Sequence, residues 1–91
     1  MIIHLGENIT IFEKDIVAVL DVETVLSSKE NSQLIEKLIK DNRLVNYTNG
    51  QVKTYIIASE DGSSRKKRNQ YKLYTSNISS TSLLRRIFSS K

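Results

Sequence analysis

The sequence predicts an α+β domain: a small, mostly antiparallel sheet of about six strands, one central helix and a short C-terminal helix. Three observations carry that reading. Short β-branched apolar segments alternate with Gly and Asn turn signals, one apolar stripe repeats at helical spacing, and a second follows a serine cluster near the end. With 91 residues the chain forms one domain over 1–91, because two cores would each fall below the size at which a chain folds without disulfides or metal.

Each element has its own signal. Met1 to Leu5 and Ile9 to Phe12 flank Gly6-Glu7-Asn8 and read as an opening hairpin. Ile16 to Leu20 is the longest unbroken apolar run; bounded by Asp15 and Asp21, it fits a central strand covered on both faces. Ser27 followed by Glu30 makes a capping box, so a helix should start there. Leu34, Ile35, Leu38 and Ile39 form its sheet-facing side, with Glu36, Lys37 and Lys40 opposite, to about Asn42. Leu44 to Thr48 and Val52 to Ala58 flank Asn49-Gly50, the pair that most readily adopts a type I′ turn, and predict a second hairpin. Glu60 to Ser64 leads into Arg65-Lys66-Lys67-Arg68, four adjacent cations that suit a mobile basic loop over 62–69. Tyr71 to Thr75 reads as the last strand. Ser79, Ser80, Thr81 and Ser82 offer N-caps for a terminal helix carrying Leu83, Leu84, Ile87 and Phe88, and 89–91 reads as a frayed tail.

Composition removes several chemistries. No Cys means no disulfide framework, no thiolate nucleophile and no cysteine-ligated metal. The longest apolar run is far below the roughly 20 residues that span a bilayer, and no charged-then-apolar leader opens the sequence, so a soluble, cytoplasmic protein without a membrane partner is expected. Apolar residues make up 38%, enough for a thin core only, which favours stabilisation by self-association. The net charge of +4 conceals a division along the chain. Residues 1–61 hold six Lys or Arg and all ten acids, a net −4; residues 62–91 hold eight Lys or Arg and no acid, a net +8. A one-sign segment of that kind attracts polyanions, of which nucleic acid is the usual one, although a solvated loop or a patch meeting a neighbouring subunit's acids has the same composition.

The inventory for catalysis is sparse, and no enzyme, cofactor, metal or small-molecule substrate is expected. His4 is the single histidine and sits among apolar strand residues, where a structural role outweighs a catalytic one. Asp21 and Glu23 would share one side of an extended strand, the minimum for a carboxylate pair, yet strand-end acids are usually just solvated. The three glycines are dispersed and cradle no phosphate. Ser79, Ser80 and Ser82 either cap the last helix or help hold an anion at its positive end. Tyr47, Tyr55, Tyr71 and Tyr74 lie in expected strands, suited to cross-strand packing more than to base stacking.

Four blocks taken together are more specific than any alone: Ile3-His4-Leu5-Gly6, Asp15-Ile16-Val17-Ala18-Val19-Leu20-Asp21, Lys53-Thr54-Tyr55-Ile56-Ile57, and Tyr74 through Arg86. In that order they resemble the RemB branch of the bacterial extracellular matrix regulator (RemA/RemB) family. The resemblance implies a small α+β subunit assembled into a closed ring, related to a RemA protein that binds DNA and activates biofilm matrix genes. It also implies double-stranded DNA, further copies of the chain and a RemA-like protein as partners. In RemA-type sequences an arginine pair follows the glycine of the middle hairpin; here those positions are Gln51 and Val52, and Lys53 is the nearest cation. Asn77 stands where the family usually has proline, and the basic stretch from Arg65 to Asn69 is longer than usual. The expected nucleic-acid contacts are therefore Arg65, Lys66, Lys67 and Arg68, with Lys53 beside them. A structural or adaptor ring that binds a protein partner and no DNA is the alternative.

Overall fold

The structure, a computed structural model, describes residues 2–6, 8–46, 48, 50–59 and 71–89. Among the described residues, five strands lie in two small antiparallel sheets, with three α-helices and one 3₁₀ turn. β1 (Ile2–Gly6) and β2 (Ile9–Phe12) form a two-stranded ribbon; β3 (Ile16–Asp21), β4 (Thr54–Ser59) and β5 (Tyr71–Ser76) form a sheet in the order β3-β4-β5. The helices are α1 (Val22–Ser27), α2 (Lys29–Lys40) and α3 (Ser80–Ser89).

β4 is the centre of the molecule. It pairs antiparallel with β3 on one side and β5 on the other, and its residues alternate between two cores. Ile56 and Ala58 face the β1-β2 ribbon and α3, packing with Ile3, Leu5, Ile11 and Leu83. Ile57 and Tyr55 face the other way, towards Val25, Ile35, Leu38 and Leu73. The domain is thus three layers: ribbon plus α3, sheet, and α1 plus α2. No helix among the described residues is long and apolar enough to cross a membrane.

Several expectations are corrected. The opening hairpin forms, with Gly6 (φ 93°) and Asn8 (φ 64°) in the left-handed region that its turn requires. It is a separate ribbon, however, so one sheet of about six strands becomes two sheets holding five. The apolar run Ile16 to Leu20 is a strand but an edge strand, because the six-residue segment of β4 captures both available ladders. Val17 is the extra residue of a bulge: Ile16 pairs with Ala58 and Ala18 with Ile57. The bulge leaves Val17 56% exposed and reverses the parity of the strand, so Ile16 joins the ribbon-side core while Ala18 and Leu20 join the helix-side core.

The central helix is two. Asp21 ends β3 and caps α1, its Oδ2 accepting from the Glu23 N–H at 3.0 Å; this overturns the extended arrangement expected for Asp21 and Glu23. Ser28, not Ser27, caps α2 by accepting from the Asn31 N–H at 3.3 Å, while the Ser27 hydroxyl donates to the Thr24 carbonyl of α1. The capping signature was one residue early because an unforeseen helical turn precedes it. Ile35 and Leu38 are buried as the stripe implies; Leu34 and Ile39 flank it and stay largely exposed.

Tyr47 and Asn49 of the hairpin expected about Asn49-Gly50 lie outside the described residues, and the described parts of its two arms do not pair with each other. Leu44 makes a parallel bridge with Leu73 of β5, with Leu73 N–H donating to the Arg43 carbonyl and Val45 N–H to the Leu73 carbonyl. Asn46 continues the pairing with its side chain: its amide donates to the Thr75 carbonyl and accepts from the Thr75 N–H, both at 3.0 Å. The residues after α2 therefore close the outer edge of β5, since β4 has no free edge to offer them.

Buried hydroxyls stitch the layers. Thr54 Oγ1 donates to the Ile78 carbonyl, and Ser76 Oγ donates to the Leu5 carbonyl at 2.7 Å while accepting from the Ile78 N–H. Thr54, Thr75 and Ser76 are all buried and all partnered. Replacing Ser76 by Ala strands the Leu5 carbonyl in the interior, and urea denaturation should show a loss of about 1–3 kcal/mol. An unchanged midpoint would show that the ribbon does not depend on this tie.

Candidate nucleic-acid interface

The eleven residues 60–70 connect β4 to β5, and Arg65, Lys66, Lys67 and Arg68 lie outside the described residues. Their anchors are described: Ser59 and Tyr71 are paired across the β4-β5 ladder. Lys53 precedes the opposite end of β4, where Thr54 pairs with Ser76. Five strand steps separate the two ends, about 17 Å at ordinary strand rise. The structure thus places Lys53 away from the anchors of the basic segment.

Lys53 is exposed and sits in a shallow cleft of about 310 Å³ with Asp21, Val22, Glu23, Gln51 and Ser79. Two carboxylates against one ammonium leave that end mildly acidic. The main chain here is tightly tied: the Lys53 N–H donates to the Ser76 carbonyl and the Val22 N–H donates to the Lys53 carbonyl. Asp21 links two helix starts, since its Oδ1 also accepts from Ser80 Oγ at 3.3 Å. The Ser79 hydroxyl oxygen accepts from the Ser82 N–H at 3.2 Å, so it caps α3, and Asp21 supplies the negative charge that the helix end favours.

The other end of the sheet differs in sign. A cleft of about 420 Å³ opens between β2 and β5, lined by Thr10, Ile11, Phe12, Lys14, Asp15, Lys72 and Tyr74. Lys14 stands in the 3₁₀ turn Glu13–Asp15, with Nζ 5.9 Å from the Phe12 ring centroid, at the outer limit of a cation–π contact. Lys72 is the second residue of β5 and pairs with Ala58, one step from the anchor pair. Asp15 is the acid on this cleft; its Oδ1 is buried without a hydrogen-bond partner among the described residues, and its carbonyl accepts from Ser59 Oγ. Neither lysine was prominent in the sequence. They lie 58 positions apart, and only the tertiary fold brings them to one cleft.

The remaining candidates have structural surroundings. His4 lies on the exposed face of β1, and its carbonyl accepts from Arg86 Nη1 at 3.0 Å, tying α3 to the ribbon. Tyr55 and Tyr74 pack at the edges of the two cores, Tyr71 is exposed, and Tyr47 lies outside the described residues. No cluster of His, Cys, Asp or Glu suited to a metal ion occurs among the described residues.

A family model described as RemA-like, "Extracellular matrix regulatory protein A-like", matches residues 2–87, nearly the whole chain. The chain belongs to the RemA-like family. No curated protein and no solved structure matches it. In this RemA-like chain the positions expected to carry an arginine pair, Gln51 and Val52, precede β4 at the acidic end, where Gln51 lines the same cleft as Lys53. Removing the Asp21 carboxylate with Asp21→Ala takes the cap from α1 and the Ser80 partner from α3. Stability should fall by about 0.5–2 kcal/mol in urea, the usual cost of a lost N-cap; a smaller effect than that of an exposed control such as Gln33→Ala would remove Asp21 from this role.

Proposed function

We propose that this RemA-like protein is a nonenzymatic, DNA-binding transcriptional regulator of extracellular matrix genes, of the RemB branch, acting as a ring oligomer through phosphate-backbone contacts. One observation carries the reading: within a chain that belongs to a family of matrix regulators, the last 30 residues hold eight cations and no acid. Arg65, Lys66, Lys67 and Arg68 are the proposed contacts. Lys53 is a lesser one, since Asp21 and Glu23 share its cleft.

The magnitudes favour several subunits over one. Four phosphate contacts give salt-sensitive, nonspecific affinity, with log K falling against log salt at a slope of roughly −3.6. Once one subunit holds the duplex, each further copy binds at high effective concentration, which can raise affinity by roughly 10² to 10⁴ without a base contact. Recognition then rests on backbone and DNA shape. The exposed surface supports self-association: Ile2, Phe12, Val17, Leu26 and Phe88 are each more than half exposed, and β3 forms one edge of its sheet.

Fluorescence anisotropy with duplex DNA at about 50 mM salt should show wild-type binding that weakens at least tenfold when Arg65, Lys66, Lys67 and Arg68 are all changed to Ala. Equal affinity of the two proteins would take the basic segment out of the mechanism. Absence of any DNA shift, with salt-independent capture of a RemA-like protein, would establish an adaptor ring instead; the non-basic Gln51 and Val52 are what favours that second reading. Light scattering should give a particle several times the 10.4 kDa of one chain at micromolar concentration. A particle of one chain's mass would contradict the ring.

A further inference from the structure

We infer that Lys14 and Lys72, which line one cleft together with residues of β2 and β5, form a second phosphate clamp that extends the DNA-binding surface onto the folded body. The inference rests on the DNA-binding reading above and names further residues of that surface.

Position is the first argument. Lys72 lies one ladder step from the Ser59–Tyr71 pair that anchors residues 60–70, and Ser59 Oγ donates to the carbonyl of Asp15, next to Lys14. Both ammonium groups thus arise at the end of the sheet from which the four-cation segment departs. Lys53, by contrast, lies at the opposite end of β4.

Charge is the second. The Lys14–Lys72 cleft carries two cations and one acid; the Lys53 cleft carries one cation and two acids. The first is net attractive to a phosphate and the second net repulsive. Asp15 opposes an incoming anion, and its buried, unpartnered Oδ1 is little screened by solvent, so the two lysines must outweigh it. Thr10 lines the same cleft with a hydroxyl that can donate to a phosphate oxygen.

Rigidity is the third. Lys72 is held in a strand and Lys14 in a turn between β2 and β3, so little backbone freedom is lost on binding. These two contacts set where the backbone of the duplex lies, while the 65–68 segment supplies most of the attraction.

The test uses the full chain. Anisotropy is measured on duplex DNA from about 50 to 200 mM salt for wild type, Lys14→Gln/Lys72→Gln, Lys14→Arg/Lys72→Arg and Asp15→Asn, with circular dichroism and native mass confirming fold and assembly. Each lost phosphate contact should make the log–log salt slope shallower by about 0.9 per engaged subunit, so the Gln pair should lose about 1.8 and bind more weakly. The Arg pair should keep the wild-type slope, and Asp15→Asn should bind more tightly at low salt. A wild-type slope in the Gln pair, while the 65–68 alanine variant loses affinity, overturns the clamp and leaves the DNA-binding reading standing. Absence of wild-type binding at about 50 mM salt overturns both.

Discussion

One strand bears the organisation of this protein. β4 is paired on both edges and covered on both faces, and its alternation decides which elements share a core. Ile56 and Ala58 recruit the ribbon and α3; Tyr55 and Ile57 recruit α1 and α2. Because the strand has no free edge, every other segment takes the position left to it. β3 becomes an edge, and the residues after α2 must pair with the outer side of β5. Ile56 is wholly buried at the centre of this arrangement, where a domain of 91 residues has little area to spare.

The two ends of that strand have different chemistry. At the Thr54 end, β3, β4, β5, α1 and α3 meet, and the Asp21 carboxylate holds two helix starts together. The charges there serve the fold, and Lys53 is set among acids. At the Ser59 end few side chains are committed to caps. That end carries the connection of residues 60–70, and the cleft beside it holds two lysines and one aspartate. In the proposed reading, a polyanion approaches one end while the other keeps the domain folded.

Thin cores leave apolar surface. The two clusters are small, and Leu26 and Phe88 remain 76% and 66% exposed. Scattered apolar side chains are ordinary on any protein, but a high share of them on a small domain with an unshielded strand edge favours association of copies. In the proposed reading, repetition of a weak phosphate-binding surface is then a simple route to useful affinity, since each further contact costs little once the first is made.

Much of this was legible in local chemistry. The turn at Gly6 to Asn8, the apolar stripe of α2, the serine cap of α3 and the strands at Ile16, Thr54 and Tyr71 follow from backbone preference and periodicity, which act within a few residues. The eight cations after Asp61 are equally plain, and they alone direct attention to the basic segment. Neighbour choice was not legible. Asn49-Gly50 promises a hairpin, yet the segments flanking it pair with opposite edges of β5 and not with each other; Asp21 and Glu23 look extended, yet they begin a helix. Lys14 and Lys72 come to one cleft only through the packing of the ribbon on the sheet. Strand order and such juxtapositions are settled by competition among all segments for one buried strand, and no window of sequence contains that competition.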